Sequence, residues 1–217
     1  MDLFENDLIN STPEQHVHIA DGVILLRSFA LQNEVQLLAD LNCILENSPL
    51  RNMTTPGGFT MSVAMTNCGD LGWVSDRKGY RYCALDPNIK APWQPMPASF
   101  LVLASAAATL AGYANFVPDA CLINQYLPTA RMSLHQDKDE QDFNQPIVSV
   151  SLGVPATFLF GGAKRSDKPS KILLQHGDVI VWGGKSRLNY HGIMPLQTSI
   201  HAAFGACRFN LTLRKAA

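Results

Sequence analysis

Ile147-Val-Ser-Val-Ser-Leu-Gly-Val-Pro-Ala-Thr-Phe-Leu-Phe160 decides the fold class. Two short runs rich in β-branched and aromatic residues, Ile147–Leu152 and Thr157–Phe160, are joined by a turn, which is the mark of strands rather than helices. The pattern continues outward. Cys121-Leu-Ile-Asn-Gln-Tyr126 reads as a strand upstream, and Ile172–Leu174 and Val179-Ile-Val-Trp182 follow downstream, the last between His176-Gly-Asp and Gly183-Gly184 turns. Short strands with regular turns predict an antiparallel sandwich or jelly roll. Ahead of them, Gly22–Phe29 reads as a strand. Leu31–Asn47 reads as a helix with Val35, Leu38, Leu41, Ile44 and Leu45 at helical spacing, stopped by Ser48-Pro49. A second helix is expected from Met96-Pro97 to Gly112, with Phe100, Leu103, Ala107, Leu110 and Ala111 on its apolar side. Both helices are expected to brace one outer sheet. Phe59–Met65 reads as a strand carrying Phe59, Met61, Val63 and Met65 on one face, and Asp86–Pro97 as a proline-rich connector.

The chain of 217 residues is 47% apolar, enough for one domain with a sizeable core. Its net charge of −1, from 17 basic and 18 acidic residues, argues against nucleic-acid binding by nonspecific charge and leaves room for a local basic surface. The five cysteines are scattered and form no C-x-x-C pair, so free thiols in a reducing compartment are expected rather than disulfides or zinc. No signal-peptide apolar region opens the sequence, and Ala98–Ala114 is too short and interrupted for a membrane span. A soluble cytoplasmic protein is expected. Residues 1–20 are read as a polar, irregular arm in which His16 and His18 sit on a solvated surface rather than on a metal.

The chemistry concentrates in Arg131-Met-Ser-Leu-His-Gln-Asp-Lys-Asp-Glu140. Two residues apart on an extended strand, His135 and Asp137 point to one face. His191, in Asn189-Tyr-His-Gly192, is the candidate for a third ligand. Two histidines and one carboxylate make the facial triad of non-haem Fe(II) oxygenases, which leaves coordination positions open for substrates. An H-x-D tripeptide alone is common, and the C-terminal segment strengthens it.

Arg208-Phe-Asn-Leu-Thr-Leu-Arg214 alternates strictly, with Phe209, Leu211 and Leu213 on one face and Arg208, Asn210, Thr212 and Arg214 on the other. Two arginines pointing into a cavity need partners. Internal salt bridges are one reading; the other is a small diacid held by the two guanidinium forks, with Asn124 and Tyr126 adding hydrogen bonds. The triad and a diacid pocket together point to 2-oxoglutarate, whose 2-oxo acid end can chelate iron while a position remains for O2. In Trp73-Val-Ser-Asp-Arg-Lys-Gly-Tyr-Arg-Tyr82, Arg77, Lys78 and Arg81 interleave with three aromatics. The residues alone favour a hairpin packed on the core; the alternative is a base-stacking platform beside phosphate contacts.

With these motifs in place, the sequence resembles the AlkB family of oxidative dealkylation dioxygenases, in its bacterial branch. The matching residues include Thr55-Pro-Gly-Gly-Phe-Thr-Met-Ser-Val-Ala-Met-Thr-Asn67, His135-Gln-Asp-Lys-Asp-Glu140, Trp182-Gly-Gly, Tyr190-His-Gly192 and Arg208-x-Asn-x-Thr-x-Arg214, and they run from about residue 20 to the C-terminus. The resemblance implies a double-stranded β-helix core over residues 97–217 and a helix–strand region with a nucleotide-recognition lid over 21–96, in one structural domain. It implies Fe(II) on His135, Asp137 and His191, and 2-oxoglutarate on Asn124, Tyr126, Arg208, Asn210 and Arg214, with O2 as the second co-substrate. It implies a methylated base placed by Trp73, Tyr80, Tyr82, Asp139 and Arg165, which reverses the reading of the 73–82 segment. The implied substrates are 1-methyladenine and 3-methylcytosine in single-stranded or duplex DNA, or in RNA, with formaldehyde, succinate and CO2 as products. Neither a membrane nor an obligate protein partner is expected. The rivals are an Fe(II)/2-oxoglutarate hydroxylase of a protein or small molecule, and a non-enzymatic metal-binding β-barrel.

Overall fold

Residues 16–217 are described by a computed structural model of the chain. The order is β1 (His16–Ala20), β2 (Val23–Leu26), α1 (Glu34–Asn47), β3 (Arg51–Thr54), β4 (Thr60–Gly69), β5 (Gly72–Asp76), β6 (Gly79–Cys83) and α2 (Ala98–Leu110). There follow β7 (Ala120–Tyr126), β8 (Met132–His135), β9 (Ile147–Gly153), β10 (Ala156–Phe160), β11 (Ser170–Leu174), β12 (Val179–Trp182), β13 (His191–Ile193) and β14 (Arg208–Arg214). An eight-stranded sheet runs β1-β2-β12-β9-β14-β7-β4-β3, a four-stranded sheet β11-β10-β13-β8, and β5-β6 form a separate hairpin. From β7 onward the chain passes between the two larger sheets: β7, β9, β12 and β14 lie in the first, and β8, β10, β11 and β13 in the second. That is the expected double-stranded β-helix, with antiparallel pairing throughout the strand ladders.

The period-two alternation distributes side chains into two cores. Val148, Val150, Val181, Leu211 and Leu213 face the helices, packing with Leu37, Leu41, Phe100 and Ala107. Ile147, Ile180, Trp182, Leu122 and Tyr126 face the smaller sheet, against Phe158, Phe160, Ile172 and Ile193. With both faces covered, β9 and β14 are buried at every position. Burial of the polar face of β14 is therefore set by the second sheet, and its polar groups must find partners inside.

Four details differ from the sequence expectation. A 3-10 turn, Phe29–Asn33, precedes α1, so the strand ends at Leu26 and the helix starts at Glu34. The helix phase then buries Leu37, Leu41 and Ile44 and leaves Val35 85% exposed. In α2, Ala104 and Ala108 join Phe100, Leu103 and Ala107 in the core while Leu110 is exposed, because a face of small residues lets the helix lie close against the sheet. Phe59 precedes β4 and is exposed, unlike Val63 and Met65. Of the N-terminal arm, residues 16–20 pair as β1 with β2 and keep His16 and His18 exposed, whereas residues 1–15 lie outside the described residues.

Candidate metal and co-substrate site

A cavity of about 830 Å³ opens between the two sheets, and β14, β8, β13 and the hairpin line it. His135 and His191 are brought together by the pairing of β8 with β13, where they are register partners. Gly192 makes that approach possible: a Cβ there would lie 2.6 Å from the Met132 carbonyl oxygen. The strand stops at His135, so Asp137 does not share a strand with it as the sequence suggests, and Asp139 follows on the same loop. The loop that follows returns Asp137 to the same point, and potential ligand atoms of His135, Asp137 and His191 all lie within 4.8 Å of one another.

Each member of this triad is held by a second group. His135 Nδ1 donates to the Ser133 carbonyl at 2.9 Å, and His191 Nδ1 donates to the Asn189 carbonyl at 3.0 Å. Both Nε2 lone pairs are thereby free for a metal, the arrangement in which ligand histidines are oriented by backbone acceptors. Burial, reinforced by His191, pushes the His135 imidazole down to about 4, so it is neutral at physiological pH even though its side chain is still 36% exposed to the cavity. Burial opposes ionisation of Asp137, but Arg214 and the histidines override it and hold the carboxyl well below the usual carboxylate range. Arg214 donates to Asp137 Oδ2 twice, from Nη2 at 2.6 Å and Nε at 3.1 Å, leaving Oδ1 for a metal. Two imidazole nitrogens and one carboxylate oxygen suit Fe(II).

The two arginines of β14 differ. Arg214 is already ion-paired with Asp137 and lies 3.5 Å from Glu140 Oε1, so the internal salt bridge is real there. Arg208 is 1% exposed and, among the described residues, has no acidic partner. It spends Nη2 on Ser151 Oγ at 2.9 Å and lies over the Tyr126 ring at 5.1 Å, while Nε and Nη1 have no acceptor. Beside it, Asn210 bonds Ser149 Oγ and the Val150 carbonyl, and buried Asn124 Oδ1 is also unpartnered. Buried donors without acceptors are rare in native folds. A carboxylate of the co-substrate fits this gap, and the neighbouring Tyr126 hydroxyl, its phenol pushed up to about 12 by burial, remains a donor.

Over the cavity mouth sits the hairpin, fastened to β4 by Asn67, whose side chain bonds the Trp73 backbone in both directions. Trp73 and Tyr80 stack at 5.5 Å, and the Trp73 indole donates to Asp139 Oδ2 at 2.8 Å. Trp73, Tyr80, Asp139 and Arg165 line the cavity, with Arg165 over the Tyr190 ring at 5.9 Å. Tyr82 is placed elsewhere. It turns behind the cavity wall and donates to Glu140 Oε1 at 2.6 Å. Sequence reasoning did not single out Glu140 and Arg187, a buried pair at 3.1 Å whose side chains are 2% and 3% exposed. Arg187 also donates to the Asp137 carbonyl at 2.8 Å, so the pair fixes the ligand loop. The H-x-D-x-D-E run carried Glu140 in plain view, but nothing in it names the distant Arg187 as partner.

Fold, triad and arginine strand define an oxygenase that uses iron(II) and 2-oxoglutarate, and the 2OG-Fe(II) oxygenase superfamily model matches residues 22–214. The chain is 58% identical over 198 residues to the alpha-ketoglutarate-dependent dioxygenase AlkB of Escherichia coli, covering 91% of this chain and 92% of that protein. It is 54% identical to AlkB of Salmonella typhimurium, covering 100% of this chain and 98% of that protein. Its fold is similar to the solved structure of OsALKBH1, with a TM-score of 0.80 and 28% identity over 92% of this chain and 99% of that one. The chain belongs to the AlkB family of Fe(II)/2-oxoglutarate-dependent nucleic-acid dealkylation dioxygenases, in its bacterial branch. Among the described residues, no helix is long and apolar enough to cross a membrane.

Proposed function

We propose that the protein demethylates N-alkylated bases of the 1-methyladenine and 3-methylcytosine type in single-stranded or duplex DNA, and in RNA, as direct reversal of alkylation damage. One observation carries this reading. An indole face and a carboxylate, Trp73 and Asp139, are joined by a hydrogen bond at the mouth of the cavity that holds the triad. An aromatic face attracts a cation and a carboxylate neutralises it, and these methylated bases are cations. A duplex hides the methyl group, so the base enters flipped out or from a single strand, and damage that weakens pairing favours its extrusion.

In this reading residues 21–96 contribute the recognition lid and 97–217 the catalytic core. Bound Fe(II), with 2-oxoglutarate and O2, supplies the oxidation that releases the methyl carbon as formaldehyde, with succinate and CO2 as co-products. The chain's own residues position and neutralise. His135, Asp137 and His191 hold the metal on one side only, so the remaining positions face the cavity. Arg208 receives one co-substrate carboxylate through its free Nε and Nη1, with Asn124, Tyr126 and Asn210 around it. Arg214 keeps Asp137 ionised and in place beside the iron-binding end of the co-substrate. Trp73, with Tyr80 stacked on it, offers the base a rigid face, Asp139 its counter-charge, and Arg165 a donor in the cavity lining. Free thiols and ferrous iron both persist in a reducing cytoplasm, where we place the enzyme.

The test is mass spectrometry of a 1-methyladenine oligonucleotide incubated with protein, Fe(II), 2-oxoglutarate and O2. Loss of one methylene unit is expected. An unchanged oligonucleotide alongside steady succinate formation would move the substrate to a protein or small molecule.

A further inference from the structure

The hairpin grips the ligand loop at two consecutive acids. Trp73 and Tyr82 are register partners on one rung of β5 and β6. Trp73 bonds Asp139, and Tyr82 bonds Glu140. Glu140 is anchored, because Arg187 holds its other oxygen at 3.1 Å in a buried pocket and also holds the Asp137 carbonyl. Arg214 closes the ring. It reaches the Tyr82 hydroxyl oxygen from Nη1 at 3.4 Å and Glu140 Oε1 from Nε at 3.5 Å, and it holds Asp137 Oδ2 at 2.6 Å. The contacts to Asp137 are short and those to Tyr82 and Glu140 are long. The long contacts are the weaker ones and the first that a displacement at Tyr82 would break.

We propose that Tyr82 is a positioning residue that transmits occupancy of the Trp73 rung to the metal-binding Asp137 carboxylate through Glu140 and Arg214. This rests on the reading that a base binds at Trp73. A cationic base that stacks there and draws on Asp139 competes with the indole for that carboxylate and shifts the rung. Tyr82 sits directly across the rung and moves with it. The hydroxyl, which lies outside the cavity lining, carries the signal by changing what Arg214 sees. Iron oxidation is thereby matched to the presence of a substrate, through this chain's own hydrogen bonds.

Tyr82→Phe removes the hydroxyl and keeps the ring. Two readouts are compared with the unaltered enzyme: steady-state kinetics on a 1-methyladenine oligonucleotide, and the visible absorption of the anaerobic Fe(II)–2-oxoglutarate complex with and without that oligonucleotide. In the unaltered enzyme we expect the oligonucleotide to shift the absorption band. In Tyr82→Phe we expect the band shift to be lost and kcat to fall about tenfold while the oligonucleotide KM stays within about twofold. A retained band shift with unchanged kcat overturns the relay. A raised KM with kcat preserved overturns it too, and makes Tyr82 a substrate contact. If the unaltered enzyme neither binds the oligonucleotide nor shows a band shift, the substrate reading fails first and takes the relay with it.

Discussion

Exchanging each β14 arginine for leucine should give opposite effects on folding and similar effects on co-substrate binding. Arg208 is buried with Nε and Nη1 unpartnered and, among the described residues, no ion-pair partner, and desolvation pulls its pKa below the ordinary arginine value. Its charge is therefore a cost in the ligand-free protein. Replacing it with leucine ends that desolvation cost and gives up the Ser151 hydrogen bond and the Tyr126 contact, so the net change in stability is small or favourable. Arg214 is the reverse case: Asp137 depends on it through two hydrogen bonds, and removing one partner of a buried pair costs about 3–5 kcal/mol. In a domain of this size, where 1 kcal/mol corresponds to about 2–4 °C, Arg214→Leu should lower Tm by roughly 6–20 °C. Arg208→Leu should leave Tm unchanged or raised. For 2-oxoglutarate, two charge-assisted hydrogen bonds at Arg208, at about 1.5–3 kcal/mol each, amount to roughly 3–6 kcal/mol. That corresponds to a loss of about two to four orders of magnitude in affinity. Differential scanning fluorimetry of metal-free protein reads the first effect, and calorimetric titration of 2-oxoglutarate into the Mn(II)-loaded protein reads the second. A large drop in Tm for Arg208→Leu would mean that its charge has an internal partner. Wild-type affinity in both variants would place the diacid pocket elsewhere.

Three further outcomes are expected. His135→Ala, Asp137→Asn and His191→Ala should each abolish succinate formation, and circular dichroism of His135→Ala should match wild type because that ring is only partly buried; wild-type succinate release by any of the three would remove that residue from the triad. Trp73→Ala should cost about 1–3 kcal/mol in use of a methylated oligonucleotide, the contribution of one stacked base. Asp139→Ala should harm cationic 1-methyladenine more than neutral 1-methylguanine in a formaldehyde assay, and an equal loss on both would make Asp139 structural. Gly192→Ala should separate β13 from β8 at the Met132 carbonyl, destabilising by about 1–3 kcal/mol as overpacking does; Co(II) titration should show weaker metal binding, and unaltered affinity would show that the triad does not depend on that close approach.

What depends on local periodicity and residue type was legible before any tertiary contact was known. Strict alternation in Arg208–Arg214 placed two arginines on one face of a strand, and His135, Asp137 and His191 carried ligand chemistry legible without coordinates. Strand and helix positions followed from apolar spacing, to within the 3-10 turn that shifted the phase of α1 and exposed Val35. Tertiary structure alone decided the partners. Parity cannot show that Arg214 meets Asp137 and Glu140 while Arg208 meets a serine hydroxyl, a tyrosine ring and, among the described residues, no acid, because those acids arrive on a loop whose path is set by Arg187, far along the chain. Nor can it show that Tyr80 and Tyr82, of equal parity on β6, part company: one stacks on Trp73 over the cavity, and the other reaches behind the wall to Glu140. A strand's alternation fixes the face a side chain takes, whereas the group it meets there depends on how sheets, loops and hairpin pack, and that is a property of long-range contacts.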